Sequence, residues 1–240
     1  MQKNGFHAQH SVSLWTAFLP VVLLPVVFVL LSGIPGNTED KRALAISEKA
    51  LGPEHPKVAV SLNNLGNTYH AQGQYAQAMP LCERALAISE KALGPEHPNV
   101  AVSLNGLAQL YHAQGQYAQA MPLYKRALAI SEKALGPEHS RVAMSLNGLA
   151  QLYYAQGQYA QAMPLYKRAL SIREKVLGPE HPETAFSLNN LGYLLQTQGD
   201  LAGTKPYFER ALYITRLHLG QMHPFMKTVQ TNLEALEITD

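Results

Sequence analysis

The sequence predicts an all-α solenoid of stacked antiparallel helix pairs, and three observations carry that expectation. The string LGPEHP at Leu51 recurs at Leu93 and Leu177, as LGPEHS at Leu135 and as LGQMHP at Leu219, each step being 42 residues. A fixed period of that length marks an array in which one supersecondary unit is copied and stacked. The units Gly94–Leu135 and Gly136–Leu177 differ at seven of 42 positions, so they must fold alike. Each unit also holds two apolar series at helical spacing, separated by a glycine turn. Composition agrees: 240 residues, 47% apolar, 15% charged and a net charge of +2. That is too apolar and too weakly charged for disorder, and it lacks the massed Lys and Arg that nucleic acid demands.

At the N-terminus, residues 1–13 read as a tail. From Leu14 to Leu31 the chain runs LWTAFLPVVLLPVVFVLL, eighteen residues without a charge. As a helix this is about 27 Å long, close to the ~30 Å of a hydrocarbon core. Membrane helices tolerate prolines such as Pro20 and Pro25 better than soluble ones do. Three readings stay open. A single-pass anchor fits the length best and makes a membrane the expected location. A signal peptide cleaved near Gly36 leaves a secreted or periplasmic chain, although Ile34 suits the cleavage site poorly. A misassigned start codon is the third. Lys3 on one side, against Lys41, Arg42 and Lys49 on the other, leaves the orientation undecided. Residues 32–38 read as a linker.

The array is expected over 39–240. It starts with a lone second-type helix, Glu39–Leu51. Full repeats follow at 52–93, 94–135, 136–177 and 178–219, and 220–240 holds a closing helix near Pro224–Ile238. In the repeat 94–135, Pro98 suits the first helical position, where its missing N–H costs nothing. Leu104, Leu107, Ala108 and Tyr111 then share one helix face. Gly115 stops this first helix. A second face runs through Tyr117, Ala120, Met121, Tyr124, Ala127, Leu128, Ile130 and Leu135. The short turn makes the two helices antiparallel, and neither buries its face until repeats stack. Pro80, Pro122, Pro164 and Pro206 fall about five residues into the second helices, where proline costs ~3 kcal/mol. Either those helices start later, or each carries the same slight kink; the apolar spacing from Tyr117 to Met121 favours the kink. Lys227, Thr228, Gln230, Thr231 and Glu234 give the last helix the polarity of an end cap.

Most candidate chemistry dissolves on inspection. His55, His97, His139, His181 and His223 recur one per repeat, about 10 Å apart when stacked, too far for zinc bonds of ~2 Å. They are expected to cap the first helices. Cys82 is the only cysteine, excluding an internal disulfide or a multi-cysteine metal site, and its place in the repeat makes it a buried apolar residue. No phosphate loop, nucleophile triad or paired-carboxylate motif stands out. Near-identical copies also fail to supply the unlike groups an active site needs. No enzyme activity, cofactor or metal is expected.

What survives is a polar stripe on the first helix. With Leu104 at zero on a wheel of about 100° per residue, Asn105, Gln109 and His112 fall together beside the core face. Their equivalents are Asn63, Asn67 and His70; Asn147, Gln151 and Tyr154; and Asn189, Tyr193 and Gln196. Amides both donate and accept, so such a ladder could grip an extended peptide backbone. Asn64, Thr68 and Ser103 supply polar residues on the other flank, and an exposed helix face is polar in any case, so periodicity alone does not choose the groove.

The pattern of Leu104, Leu107, Ala108 and Tyr111, then Ala120, Tyr124 and Ala127, resembles the tetratricopeptide repeat. The 42-residue period with ALAI.EK.LGPEHP is similar to the kinesin-light-chain type, from about Glu39 to the C-terminus. The chain departs from that pattern at Leu195 and Thr204 in the fourth repeat and at Cys82 in the first, where Tyr124, Tyr166 and Phe208 stand elsewhere. It also lacks the proline late in the shorter repeat. The resemblance implies a right-handed superhelix whose first helices line a concave peptide-binding groove, with asparagine the commonest contact. It therefore implies a scaffold for a protein or peptide partner. A self-assembling repeat array, with weak self-association through the uncovered first helix, and a regulatory arm of a signalling system are the alternatives.

Overall fold

The computed structural model describes residues 36–219 and 223–237, which form ten α-helices. α1 (Gly36–Leu51) stands first. Four pairs follow: α2 (Pro56–Ala71) with α3 (Tyr75–Leu93), α4 (Pro98–Ala113) with α5 (Tyr117–Leu135), α6 (Ser140–Ala155) with α7 (Tyr159–Val176), and α8 (Pro182–Thr197) with α9 (Leu201–His218). α10 (Pro224–Glu237) ends the described chain. Each helix packs mainly on its pair partner and on the adjoining helix of the next pair, while α2 also meets α4 and α4 meets α6. This is an all-α helical-hairpin solenoid, as the repeats predict.

Local chemistry sets the helix ends. The ring Nδ1 of His55, His97, His139, His181 and His223 accepts the backbone N–H two residues on, at 3.1–3.2 Å, and so caps α2, α4, α6, α8 and α10. The hairpin turn depends on Gly115 at φ 73°, where an added Cβ would meet nothing within 4 Å. Glycine is needed there for its backbone alone. The second helices run on through Pro80, Pro122, Pro164 and Pro206, so they do not start later. All four prolines are exposed, as are Ala76, Ala118, Ala160 and Ala202 one turn earlier. The carbonyls that lose their donor therefore sit beside water rather than in the core.

The core is one layer copied along the array. Val58, Ala59 and Leu62 of α2 meet Ala85 and Ile88 of α3; Val100, Ala101 and Leu104 meet Ala127 and Ile130; Val142, Ala143 and Leu146 meet Ala169 and Ile172. Between layers, one arginine per repeat forks across the outer side. Arg84, Arg126, Arg168 and Arg210 pair with Glu48, Glu90, Glu132 and Glu174 at 2.5–2.7 Å. The same guanidinium groups donate to the carbonyls of Pro53, Pro95, Pro137 and Pro179 in the preceding LGPEH turns. Half-exposed pairs like these contribute at most about 1 kcal/mol each, but they fix the stagger of neighbouring units.

The two ends differ. Among the described residues no helix precedes α1, and Ile46 is 59% exposed while its equivalents Ile88, Ile130 and Ile172 are at most 3% exposed. It begins at Gly36, three residues before the expected start, and takes in residues expected to be linker. α10 turns Lys227, Gln230 and Glu234 to solvent at the positions where α2 buries Ala59, Leu62 and Gly66.

The expectation of a single-pass membrane protein is corrected: among the described residues no helix is long and apolar enough to cross a membrane. The segment 14–31 that suggested an anchor or a leader, and the tail 1–13, lie outside the described residues. An apolar run of suitable length meets the span requirement by composition alone, and the helices of the array carry too many polar residues to meet it.

Candidate functional site

In the first three repeats the last turn of the first helix and the first residue of the second helix come together because the QGQ turn reverses the chain within five residues. His70 meets Tyr75 with ring centroids 5.7 Å apart, His112 meets Tyr117 at 5.6 Å and Tyr154 meets Tyr159 at 5.4 Å, all tilted. Tyr193 joins the third pair, 5.5 Å from Tyr154. The fourth repeat carries Gln196 and Leu201 at these places, and the ladder of ring pairs ends there.

Beside the second and third ring pairs, and reaching the fourth repeat, lies a groove of about 720 Å³. His112, Tyr117, Gln151, Tyr154, Tyr159, Tyr166, Asn189, Asn190 and Tyr193 line it, with Ala113, Gly115, Ala155 and Gly157, and no lining residue is acidic or basic apart from the histidine. That histidine is held neutral. Burial lowers the pKa of His112 below the ordinary imidazole value, and His70 in the preceding repeat lowers it further. Burial does the same to His70. The Tyr154 phenol is raised by burial against the pull of its 2.8 Å hydrogen bond with Thr197. Burial raises Tyr166 too. The lining thus presents ring faces, amides and protonated hydroxyls at neutral pH.

The groove gathers five of the residues expected from sequence: His112, Gln151, Tyr154, Asn189 and Tyr193. Asn63, Asn67, His70, Asn105, Gln109, Asn147 and Gln196 do not line it. The asparagine ladder itself is nearly closed to solvent, Asn63, Asn105, Asn147 and Asn189 being 7%, 3%, 5% and 2% exposed. Asn63 donates to the Ser103 hydroxyl at 2.8 Å and Asn105 to Ser145 at 2.9 Å, each in the next repeat. Asn147 and Asn189 accept from Asn190 and Asn232 at 2.9 and 3.0 Å. A helical wheel treats one helix alone, whereas in the stack the next first helix covers this flank. Asn63 Oδ1 and Asn105 Oδ1 are buried and accept nothing within the described residues.

Sequence reasoning missed Tyr117, Tyr159, Tyr166 and Asn190. The tyrosine directly after every QGQ turn was the available signal, masked because it also fits the apolar series of the second helix. Among the described residues no group of three His, Cys, Asp or Glu side chains could hold a metal. Cys82 is buried, and burial, helped by Glu83, pushes its thiol up to about 12, leaving no reactive thiolate at neutral pH.

Comparison with protein families matches the tetratricopeptide repeat at residues 39–81, 69–133, 122–175 and 141–217. No curated protein matches. Among solved structures, the chain is similar to BtubC (BKLC) from P. vanneervenii, with 25% identity, a TM-score of 0.69, and coverage of 84% of this chain and 82% of that one. It is also similar to a putative kinesin light chain with nearly identical TPR-like repeats from Podosopora anserina. There the identity is 32% and the TM-score 0.54, covering 77% of this chain and 88% of that one. The 42-residue hairpins, their stacking and these matches agree: the chain belongs to the tetratricopeptide repeat family, in its kinesin light chain-like form.

Proposed function

We propose that the groove beside the second to fourth repeats binds an extended segment of a partner protein. Tetratricopeptide repeats generally serve as protein–protein interaction scaffolds and are typically not enzymes. The observation that carries the finer reading is one continuous groove of about 720 Å³, crossing three successive first helices and lined by rings and amides. Ring faces offer apolar area without ordering long side chains, and Gln151 can both donate to and accept from a peptide backbone. Asn63, Asn105 and Asn147, which do not line the groove, hydrogen-bond across adjacent first helices and hold them in register.

Each neutral hydrogen bond contributes only ~0.5–1.5 kcal/mol net, so affinity should be micromolar in order of magnitude. With no formal charge in the lining, it should change little with salt. The test is a random peptide library displayed against the full chain, with the winning peptide measured by calorimetry. Tyr154→Ala with Gln151→Ala should weaken it about tenfold or more at unchanged helical content. Lys133→Ala, on the outer side, should not matter. If the outer change weakens binding and the groove pair does not, the groove is not the site.

A further inference from the structure

We propose that the groove is built for a left-handed polyproline II segment with prolines three residues apart. This rests on the peptide-binding reading above and names the class of peptide. The structure supplies one ring pair in each of the first three 42-residue units, those at the groove being His112 with Tyr117 and then Tyr154 with Tyr159. The first helices that carry His112 and Tyr154 are in direct contact, α4 with α6, and packed helices lie about 8–10 Å apart. A ligand that repeats its contacts must therefore return the same face about every 8–10 Å.

Backbone period decides between the two extended conformations. A β-strand shows the same face every second residue, roughly 6.6–6.8 Å, and its third residue points away. It cannot serve successive rungs alike. Polyproline II turns once in three residues at ~3.1 Å each, so the same face returns after about 9.3 Å. That matches the step of the array.

Chemistry points the same way. A proline ring lies flat on tyrosine faces, which is how aromatic-lined grooves take such segments. Proline residues bring carbonyl acceptors and no N–H, and the Gln151 amide is a donor for them. The lining carries no acidic or basic residue except His112, which burial and His70 keep neutral, so neither an acidic nor a basic peptide gains a Coulombic partner there. The ladder also has a defined end. Gln196 and Leu201 replace the ring pair in the fourth repeat, which limits the segment to a few turns.

The experiment compares two synthetic peptides of identical composition on the full chain by calorimetry. One is three Ala-Pro-Ser units in tandem, with prolines at every third position; the other places the prolines at alternate positions. The first should bind at least tenfold more tightly. Tyr117→Ala and Tyr159→Ala should each abolish most of that preference, while Tyr117→Phe should keep it, and circular dichroism confirms that each variant is folded. Equal binding of the two peptides, or a preference indifferent to both tyrosines, overturns the proposal. The displayed library separates the two levels. Winners without spaced prolines that still need Tyr154 leave the peptide-binding reading standing and remove this one, whereas no groove-dependent winner removes both.

Discussion

Gly106 and Gly148 occupy the same repeat position in α4 and α6, yet their surroundings are opposite. A Cβ on Gly148 would come within 2.9 Å of Tyr124 Cε1, Cζ and Cδ1, while one on Gly106 would find its nearest atoms, Asn67 Oδ1, Asn63 Oδ1 and Cys82 Sγ, at 3.9–4.0 Å. The difference comes from the preceding second helix, which carries Tyr124 in one case and Cys82 in the other. Gly148→Ala should therefore cost about 1–3 kcal/mol through overpacking. Gly106→Ala should gain about 0.5–1 kcal/mol by removing a helix-interior glycine. Urea unfolding of the two variants checks the sign of each, and equal losses would contradict the placement of Tyr124. The Cys82 departure is visible in the sequence, but its effect on a glycine in the next unit is not, because periodicity cannot say which helix faces which. The asparagine stripe failed to read as buried for the same reason. Its polarity fitted a solvent face, and only the stack shows Ser103 and Ser145 closing over Asn63 and Asn105.

At the scale of the element, helix starts and stops were the most legible part. Pro98 and Gly115 each mark a boundary through backbone chemistry that needs no tertiary context, and the capping histidines were expected from their place before each first helix. The second helices' passage through proline was settled only by seeing those prolines on the wet side. The histidines give these elements a pH dependence. Burial lowers the pKa of His70, His112 and His223 in the folded state, against about 6.5 in an unfolded chain. As pH falls, the unfolded chain takes up these protons first. The stability they allow is therefore complete above about pH 6.5 and is lost as pH falls through the depressed folded values. His223 also loses its Nδ1 acceptor for the Phe225 N–H when protonated, which uncaps α10. Calorimetric scans from about pH 7.5 to 5 should show a falling Tm, and His112→Tyr, the residue of the next repeat, should flatten part of the fall. A Tm that rises on acidification would contradict the burial of these rings.

For the whole molecule, contacts between adjoining units carry the architecture. Deleting Gly94–Leu135 brings α3 against α6, and the register offers Asn63 to Ser145 and Glu90 to Arg168 in place of the partners removed. The shortened chain should remain helical and unfold in one cooperative step, at lower total stability because one layer is gone. Precipitation or loss of cooperativity in thermal scans would contradict nearest-neighbour stacking.

Among the bonds between units, Arg84 reaches back 36 residues to Glu48 and Asn63 reaches forward 40 residues to Ser103. Both partners of each recur at the 42-residue period, so a whole unit carries one half of such a bond at its leading edge and the other half at its trailing edge. Near-identical coding stretches misalign readily during recombination, and unequal crossover between them adds or removes one entire unit. An added unit finds its bonds already complementary on both sides, and a lost unit leaves no half-bond behind. The gene can thus change its copy number in a single event without any compensating substitution, lengthening or shortening the ring-lined track by one rung each time.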